Sequence, residues 1–293
     1  MSVDRRTLLK GLVVGGAAAA AGPAEASEAR RPEAPPDAVG MLYDATLCIG
    51  CKTCVVACRE ANGLPPETPE WTEGLWDAPP GLDEYTKNII QLYREGDEQS
   101  YVKHQCMHCL DPGCVNACMI GALQKRDFGI VTWESDRCIG CRYCQVACPF
   151  EVPKFEFHSA NPKIVKCELC IHRIKEGKQP ACCEVCPRGA IIYGTYDMLL
   201  EEAHRRIEAS PDRYIQKVYG ETDGGGTQVL YISHVPFEKL GFPQGLGDEP
   251  VGKMARDVQH GVYKGFIAPT VLYAVLAGVI WRNRRSAGEE ESS

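Results

Sequence analysis

The chain has 293 residues with a net charge of -7, 44% hydrophobic and 24% charged residues, and 17 cysteines. The negative charge gives no reason to expect a nucleic acid or an anionic lipid surface as a partner. Cysteine usage is several times the ordinary level, and because the total is odd, complete pairing in disulfide bonds within the chain is excluded.

Residues 1–26 have the pattern of a twin-arginine signal peptide. Arg5 and Arg6 precede a short Ala/Gly/Val-rich segment, and Ala24-Glu25-Ala26 follows it as a cleavage site would. This route carries folded proteins, so cysteines can be protected before they meet an oxidising compartment. A short N-terminal membrane anchor is the alternative, although the apolar segment is too short to span a bilayer well. Residues 27–40 are rich in Pro, Ala and Glu and are predicted to form a linker.

Most of the cysteines form four groups with short, regular spacing. The third group matches the bacterial ferredoxin pattern C-x2-C-x2-C-x3-C-P, in which three thiolates hold one [4Fe-4S] cluster and the fourth reaches a second cluster. Structural zinc is the alternative, but zinc sites usually close with two separated cysteine pairs. The groups are Cys48, Cys51, Cys54, Cys58; Cys106, Cys109, Cys114, Cys118; Cys138, Cys141, Cys144, Cys148; and Cys167, Cys170, Cys182, Cys186.

Residues 41–200 are predicted to form one four-cluster domain, with residues 59–100 as an insertion. The first group repeats the third, since both begin Cys-Ile-Gly-Cys, and Gly50 and Gly140 are expected to let the backbone turn tightly. A short helix is expected after each of these two loops. Longer elements are predicted as strands at Asn88 to Tyr93, Gly129 to Trp133 and Gln228 to His234, and as a helix at Asp197 to Glu208.

The crossover of the fourth cysteine predicts which groups share clusters. The second and third groups are close in sequence, as in a bacterial ferredoxin, which leaves the first and fourth to pair around them. Cys182 is preferred to Cys183 because it restores the three-residue spacing before Cys186, so Cys183 is predicted to be a spare thiol. The predicted ligands are Cys48, Cys51, Cys54 and Cys186 for cluster A; Cys106, Cys109, Cys114 and Cys148 for cluster B; Cys138, Cys141, Cys144 and Cys118 for cluster C; and Cys167, Cys170, Cys182 and Cys58 for cluster D.

Histidines and basic residues lie beside the cysteine groups. The histidines are interpreted as hydrogen-bond donors around the ligands or as surface residues, rather than as Rieske-type ligands. The basic residues either raise cluster potentials by stabilising the reduced state or form a solvated face. They are His104, His108 and His172, and Lys52, Arg142, Lys154, Lys163 and Lys166.

The C-terminal region is predicted to contain an extension, a membrane span and a tail. The extension covers residues 201–261, and residues 262–282 form a transmembrane helix that includes an uncharged run from Gly265 to Trp281. Pro269 is expected in the first turns of this helix. Residues 283–293 are then a cytoplasmic tail. The alternative is an apolar segment buried in a partner. The predicted fold class is α+β, with two pseudo-repeated bacterial-ferredoxin-like modules of two clusters each, the insertion, and the C-terminal helix.

Several short segments outside the cysteine pattern are more selective than the groups themselves. With them, the chain resembles the four-cluster electron-transfer subunits of membrane-bound oxidoreductases, and most of all the ferredoxin-like subunit of hydrogenase-2-type [NiFe] hydrogenases. Met119 and Cys183 depart from the pattern of that family. The segments are Gly40-Met41-Leu42-Tyr43-Asp44, Gln105-Cys106-Met107-His108-Cys109, Gly224-Gly225-Gly226-Thr227-Gln228-Val229-Leu230, Val235-Pro236-Phe237-Glu238 and Tyr263-Lys264-Gly265.

The resemblance implies partner subunits, and the signal peptide and C-terminal span predict a location at the inner membrane. The partner subunits are the small and large hydrogenase subunits and a multi-span membrane subunit that handles quinone. The chain is expected on the periplasmic face of the inner membrane, to which its C-terminal helix anchors it. The expected function is a relay of single electrons through four [4Fe-4S] clusters, with no catalytic site in this chain, which has no G-x-G-x-x-G after a strand. The alternatives are the same role in a molybdenum or tungsten oxidoreductase such as a formate dehydrogenase or a sulfur-compound reductase, a zinc-bound structural adaptor, and a cluster protein with its own catalysis.

Overall fold

A computed structural model describes residues 32–65, 81–159 and 162–290. The predicted signal peptide, most of the predicted linker and residues 66–80 of the predicted insertion lie outside these ranges. The described residues fall into two compact units, one that ends at Lys253 and one formed by the C-terminal helix that follows.

Nine short strands form four small sheets in the described residues of the first unit. The largest sheet has the order β8-β1-β9, in which β1 pairs antiparallel with β8 and parallel with β9. The other three sheets are the hairpins β2-β3, β4-β5 and β6-β7. The strands are β1 (Val39–Asp44), β2 (Asn88–Glu95), β3 (Glu98–Gln105), β4 (Leu123–Lys125), β5 (Val131–Trp133), β6 (Lys154–Phe155), β7 (Ile164–Val165), β8 (Ile191–Thr195) and β9 (Val229–Ile232).

Short helices carry many of the cysteines. Most have only four or five residues, and the helix after the first cysteine loop has nine. They are α1 (Thr53–Ala61), α2 (Gly113–Asn116), α3 (Tyr143–Val146), α4 (Ile171–Lys175) and α5 (Ala181–Glu184). The helices expected after the first and third cysteine loops are therefore confirmed as α1 and α3.

The helix predicted from Asp197 to Glu208 is confirmed as α6 (Tyr196–Ala209). It places Leu199, Ala203 and Ile207 on one buried stripe, as the period of an amphipathic helix requires. This stripe packs with Leu42 of β1 and Leu230 of β9. The sheet therefore joins the N-terminal strand to a strand of the predicted C-terminal extension.

The second unit consists of α7 (Lys253–Glu290). Among the described residues, Gly265–Arg282 is the one helical segment that is long and apolar enough to cross a membrane, by length and composition alone. The expectation that Pro269 lies in the first turns was wrong, because the helix begins at Lys253 and encloses the proline. The hydroxyl of Thr270 donates to the carbonyl of Phe266 beside it, at 2.7 Å.

Candidate iron-sulfur centres

The first and third cysteine loops repeat each other in backbone conformation. Gly50 and Gly140 have φ of 69° and 71°, and Lys52 and Arg142 have φ of 57° and 64°. The glycines adopt this left-handed conformation without strain, whereas the non-glycine residues are uncommon there. Each loop therefore curls around its cysteines before its helix begins, as the sequence predicts for the two glycines.

The four predicted ligands of cluster A line a single cavity. Cys48, Cys51, Cys54 and Cys186 share its wall with Lys103. The backbone amide of Gly50 donates to the Cys48 thiol at 3.5 Å. Burial raises the pKa of Cys48, and the charges of Cys54 and Cys186 add to the effect.

Within each of the predicted sets B and C, the thiols raise the pKa of one another. Burial raises the pKa of Cys114 to about 12, with further contributions from Cys106 and Cys148. Burial likewise raises the pKa of Cys144 to about 12, and the first charges that add to it are those of Cys118, Cys141 and Cys138. The Cys118 thiol accepts the backbone amides of Ala122 at 3.2 Å and Leu123 at 3.4 Å.

The predicted ligands of cluster D come from both ends of the domain. Burial raises the pKa of Cys58 in α1 to about 12, and the charges of Cys182 and Cys170 raise it further. Burial raises the pKa of Cys167 well above its usual value, and the charges of Cys58, Cys182 and Cys170 raise it further. The helix that carries Cys58 packs on the helix that carries Cys182, which brings the first and fourth cysteine groups together.

These thiols fit a group that supplies positive charge and takes several sulfur ligands. Metal ligation requires thiolates, and burial opposes the thiolate form, so the metal must supply the compensation. In the part of the chain that the structure describes, no three His, Cys, Asp or Glu side chains are placed to hold a single metal ion. A tetrahedral zinc site would need its sulfurs about 2.3 Å from one ion, whereas a cubane spreads its ligands over separate irons.

Thiols of neighbouring sets also influence each other. The helix that carries Cys54 packs on the helix that carries Cys182, which makes the sets of clusters A and D neighbours. The charge of Cys182 also raises the pKa of Cys54. Cys106 packs with Cys167, which makes the sets of clusters B and D neighbours, and its charge contributes to the raised pKa of Cys167. Cys144 and Cys114 lie in the same apolar cluster, which makes the sets of clusters B and C neighbours. The charge of Cys144 contributes to the raised pKa of Cys114. The four predicted sets therefore follow the order A, D, B, C.

Of the cysteines in the described residues, Cys51 and Cys141 are exposed. They belong to the sets at the two ends of this order. Ile49 beside Cys51 and Ile139 beside Cys141 are exposed as well, at 54% and 70%. Met119 is 66% exposed in the position that proline has in the ferredoxin pattern.

Two cations near the thiols, Lys103 and Lys125, are the main residues that the sequence reasoning missed. Lys103 is fully buried, and Lys125 donates to the carbonyl of Cys109 at 2.8 Å and to Gln228 at 3.0 Å. Burial lowers the pKa of Lys125 to about 8. Lys166, which the sequence did single out, is buried and donates to the carbonyls of Val131 and Cys167. The strand that carries Lys103, Glu98–Gln105, is mostly polar, so its sequence provided no signal that this lysine is buried.

The three histidines have different surroundings. His108 is fully buried and its Nδ1 accepts the backbone amide of Val131 at 3.1 Å, which places that nitrogen in its acceptor form. His104 packs against Phe242 with ring centroids 5.4 Å apart, and burial lowers its pKa to about 4. His172 is exposed, in agreement with a surface role.

Two family models match this chain, and both describe a 4Fe-4S dicluster domain. One covers residues 40–119 and the other covers residues 98–196. With the repeated loops and the grouped thiols, they define the chain as a ferredoxin-type electron-transfer protein that binds [4Fe-4S] clusters.

Curated relatives give the family within that class. The chain is 38% identical to the hydrogenase-2 operon protein HybA of Escherichia coli O157:H7, in an alignment that covers 97% of each chain. It is 34% identical to the iron-sulfur subunit of the nitrate-inducible formate dehydrogenase of Escherichia coli K12, over 83% of each chain. The chain belongs to the family of iron-sulfur proteins that includes HybA.

Proposed function

We propose that this chain relays single electrons through four [4Fe-4S] clusters between a periplasmic [NiFe] hydrogenase and a quinone-linked integral membrane subunit. The observation that carries the proposal is the continuous packing of the thiol sets in the order A, D, B, C, in a chain related to HybA over nearly its whole length. When bound, [4Fe-4S] clusters supply reversible one-electron chemistry.

The chain's own residues hold and insulate this path. The sixteen predicted cysteine ligands are Cys48, Cys51, Cys54 and Cys186; Cys167, Cys170, Cys182 and Cys58; Cys106, Cys109, Cys114 and Cys148; and Cys138, Cys141, Cys144 and Cys118. Leu169 and Met107 are buried in the apolar cluster that contains Cys182, and they exclude water from that part of the path. The exposed cysteines Cys51 and Cys141 leave the two end sets accessible to partner subunits.

The proposed location is the periplasmic face of the inner membrane. A folded domain exported by the twin-arginine route, followed by a span at residues 262–282, leaves the tail at residues 283–293 in the cytoplasm. The apolar segment Gly265–Arg282 supports this arrangement. The proposed partners are a hydrogenase small subunit with its catalytic large subunit, and a multi-span subunit that handles quinone. Catalysis belongs to those partners.

A second candidate is the same relay in a molybdenum or tungsten oxidoreductase. The similarity to the iron-sulfur subunit of a formate dehydrogenase favours it. In that case the clusters and their ligands are unchanged, and only the catalytic partner differs.

Anaerobic purification of the complex from membranes, with subunit identification and metal analysis of the same sample, distinguishes the candidates. Nickel together with iron equivalent to about four clusters in this subunit is the expected result. Molybdenum or tungsten without nickel would transfer the chain to the second candidate. Zinc in place of iron would contradict both.

A further inference from the structure

Lys103 is a charged residue in an unusual place. It lies in β3 with no exposed surface, and its ammonium donates a hydrogen bond to the side-chain carbonyl of Asn88 in the paired strand β2. Asn88 is itself buried, and its strand β2 packs on α1, the helix that carries Cys58. The Asn88 amide also lowers the pKa of the Cys58 thiol, against the larger effect of burial, which raises it. The ammonium of Lys103 is thus fixed on a strand that packs on the helix carrying Cys58, a predicted ligand of cluster D.

The same ammonium also faces predicted cluster A. Lys103 lines the cavity that holds the four predicted ligands of that cluster. The charges that act most strongly on it come from Cys54 of set A and from Cys182 and Cys58 of set D. Lys103 is therefore placed between two neighbouring sets of the proposed path.

A buried ammonium needs compensating negative charge, because desolvation penalises the charged form. The bond to Asn88 is to a neutral amide, whereas each set of four thiolates with its cluster carries net negative charge. Reduction by one electron adds one further negative charge beside the ammonium and breaks no bond. A fixed positive charge in a medium of low dielectric constant stabilises that reduced state.

Resting on the function proposed above, we propose that Lys103 is a shared counter-charge for clusters A and D that raises the reduction potentials of both. Asn88 positions the ammonium by accepting its hydrogen bond. Clusters B and C, which lie further along the path, receive less of its field.

The test is a potentiometric titration of the purified complex, reduced with dithionite and followed by electron paramagnetic resonance. Lys103→Met removes the charge and keeps a similar side-chain length. Asn88→Asp keeps the ammonium but sets a carboxylate against it, which cancels its charge. Lys178→Met is the matched control, because Lys178 is exposed and pairs with Glu176. Iron per subunit is measured on every sample.

Both Lys103→Met and Asn88→Asp should lower the potentials of two clusters and leave the other two close to those of the unaltered complex. Lys178→Met should change none. Unchanged potentials in both variants with full iron content would overturn the proposal. Loss of iron in both variants would overturn it too, by giving Lys103 a purely structural role. Failure of the proposed function has a different signature, since the unaltered complex would then lack the expected clusters.

Discussion

Two adjacent thiols in α5 have different surroundings. The neighbouring Cys183 and burial both raise the pKa of Cys182. The charge of Cys182 in turn raises the pKa of Cys58 and of Cys167 in set D, in addition to the effect of their burial. Cys183 is buried. Burial raises the pKa of Tyr193, and the charge of Cys183 raises it further. The sequence-based choice of Cys182 as the ligand remains a prediction.

Serine at each position in turn tests this choice. Cys182→Ser should reduce the iron content of the subunit by up to one cluster, because a ligand of cluster D is lost. Cys183→Ser, its neighbour and matched control, should keep full iron content. Iron and acid-labile sulfide per subunit are the measurements. Equal losses, or loss only in Cys183→Ser, would reverse the assignment.

Asp44 is a fully buried carboxylate at the end of β1. It accepts hydrogen bonds from the Tyr214 hydroxyl at 2.8 Å and the Thr46 hydroxyl at 2.6 Å, and it forms an ion pair with Arg206 of α6 at 3.2 Å. The carboxylate thereby ties the strand that precedes the first cysteine group to the helix that covers the sheet.

Asp44→Asn should destabilise the domain by about 3–5 kcal/mol, because it removes one partner of a buried ion pair. Glu202→Gln is the control, since Glu202 contacts the same Arg206 at 2.7 Å from a more exposed position, and such pairs contribute about 0.2–1 kcal/mol. The temperature at which the clusters lose their visible absorbance is measured for both variants. Similar decreases in this temperature would contradict the prediction that the buried Asp44 contributes more to stability than Glu202 does.

At the scale of elements, the first cysteine loop has little room for a side chain at its glycine. A Cβ at Gly50 would collide with the ring of Tyr101, and the residue has a φ of 69°. Gly63 has a φ of 60° and no atom within 4 Å of the equivalent position. Both glycines therefore have a left-handed backbone conformation, but only Gly50 is packed against a neighbouring side chain.

Gly50→Ala should lower the temperature of cluster loss more than Gly63→Ala. Left-handed backbone costs both variants about 1–2 kcal/mol, and overpacking adds about 1–3 kcal/mol at Gly50 alone. The difference in cluster-loss temperature between the two variants isolates the packing contribution. Equal temperatures would mean that Tyr101 moves aside without cost.

Local patterns predicted the elements whose causes are local. The helix α6 follows from its apolar stripe, and the curl of the loops follows from Gly50 and Gly140. The parallel pairing of β1 with β9 depends on a long-range contact, which no local pattern specifies. For the same reason the place of Lys103 between two thiol sets was not predicted, and Pro269 was placed too near the start of α7 because the helix continues through residues before the apolar run.

At the scale of the whole molecule, α7 is proposed to anchor the domain. A chain that ends at Gly261 lacks the segment Gly265–Arg282 and should be extracted from membranes by alkaline carbonate, because the burial of about 20 apolar residues in the bilayer is lost. A chain that ends at Arg282 keeps the apolar segment and is the control, which should resist extraction. Both are measured without partner subunits. Release of both chains, or of neither, would contradict anchoring by this helix.

The central claim is that electrons from a hydrogenase reach quinone only through this chain. The direct measurement compares hydrogen oxidation by the purified complex with an artificial dye and with a quinone as acceptor. In the Cys144→Ser variant, which lacks a predicted ligand of the end cluster C, we expect dye reduction to persist and quinone reduction to fall to background. The Cys183→Ser variant should retain both activities. Quinone reduction by Cys144→Ser at the rate of the unaltered complex would contradict the relay.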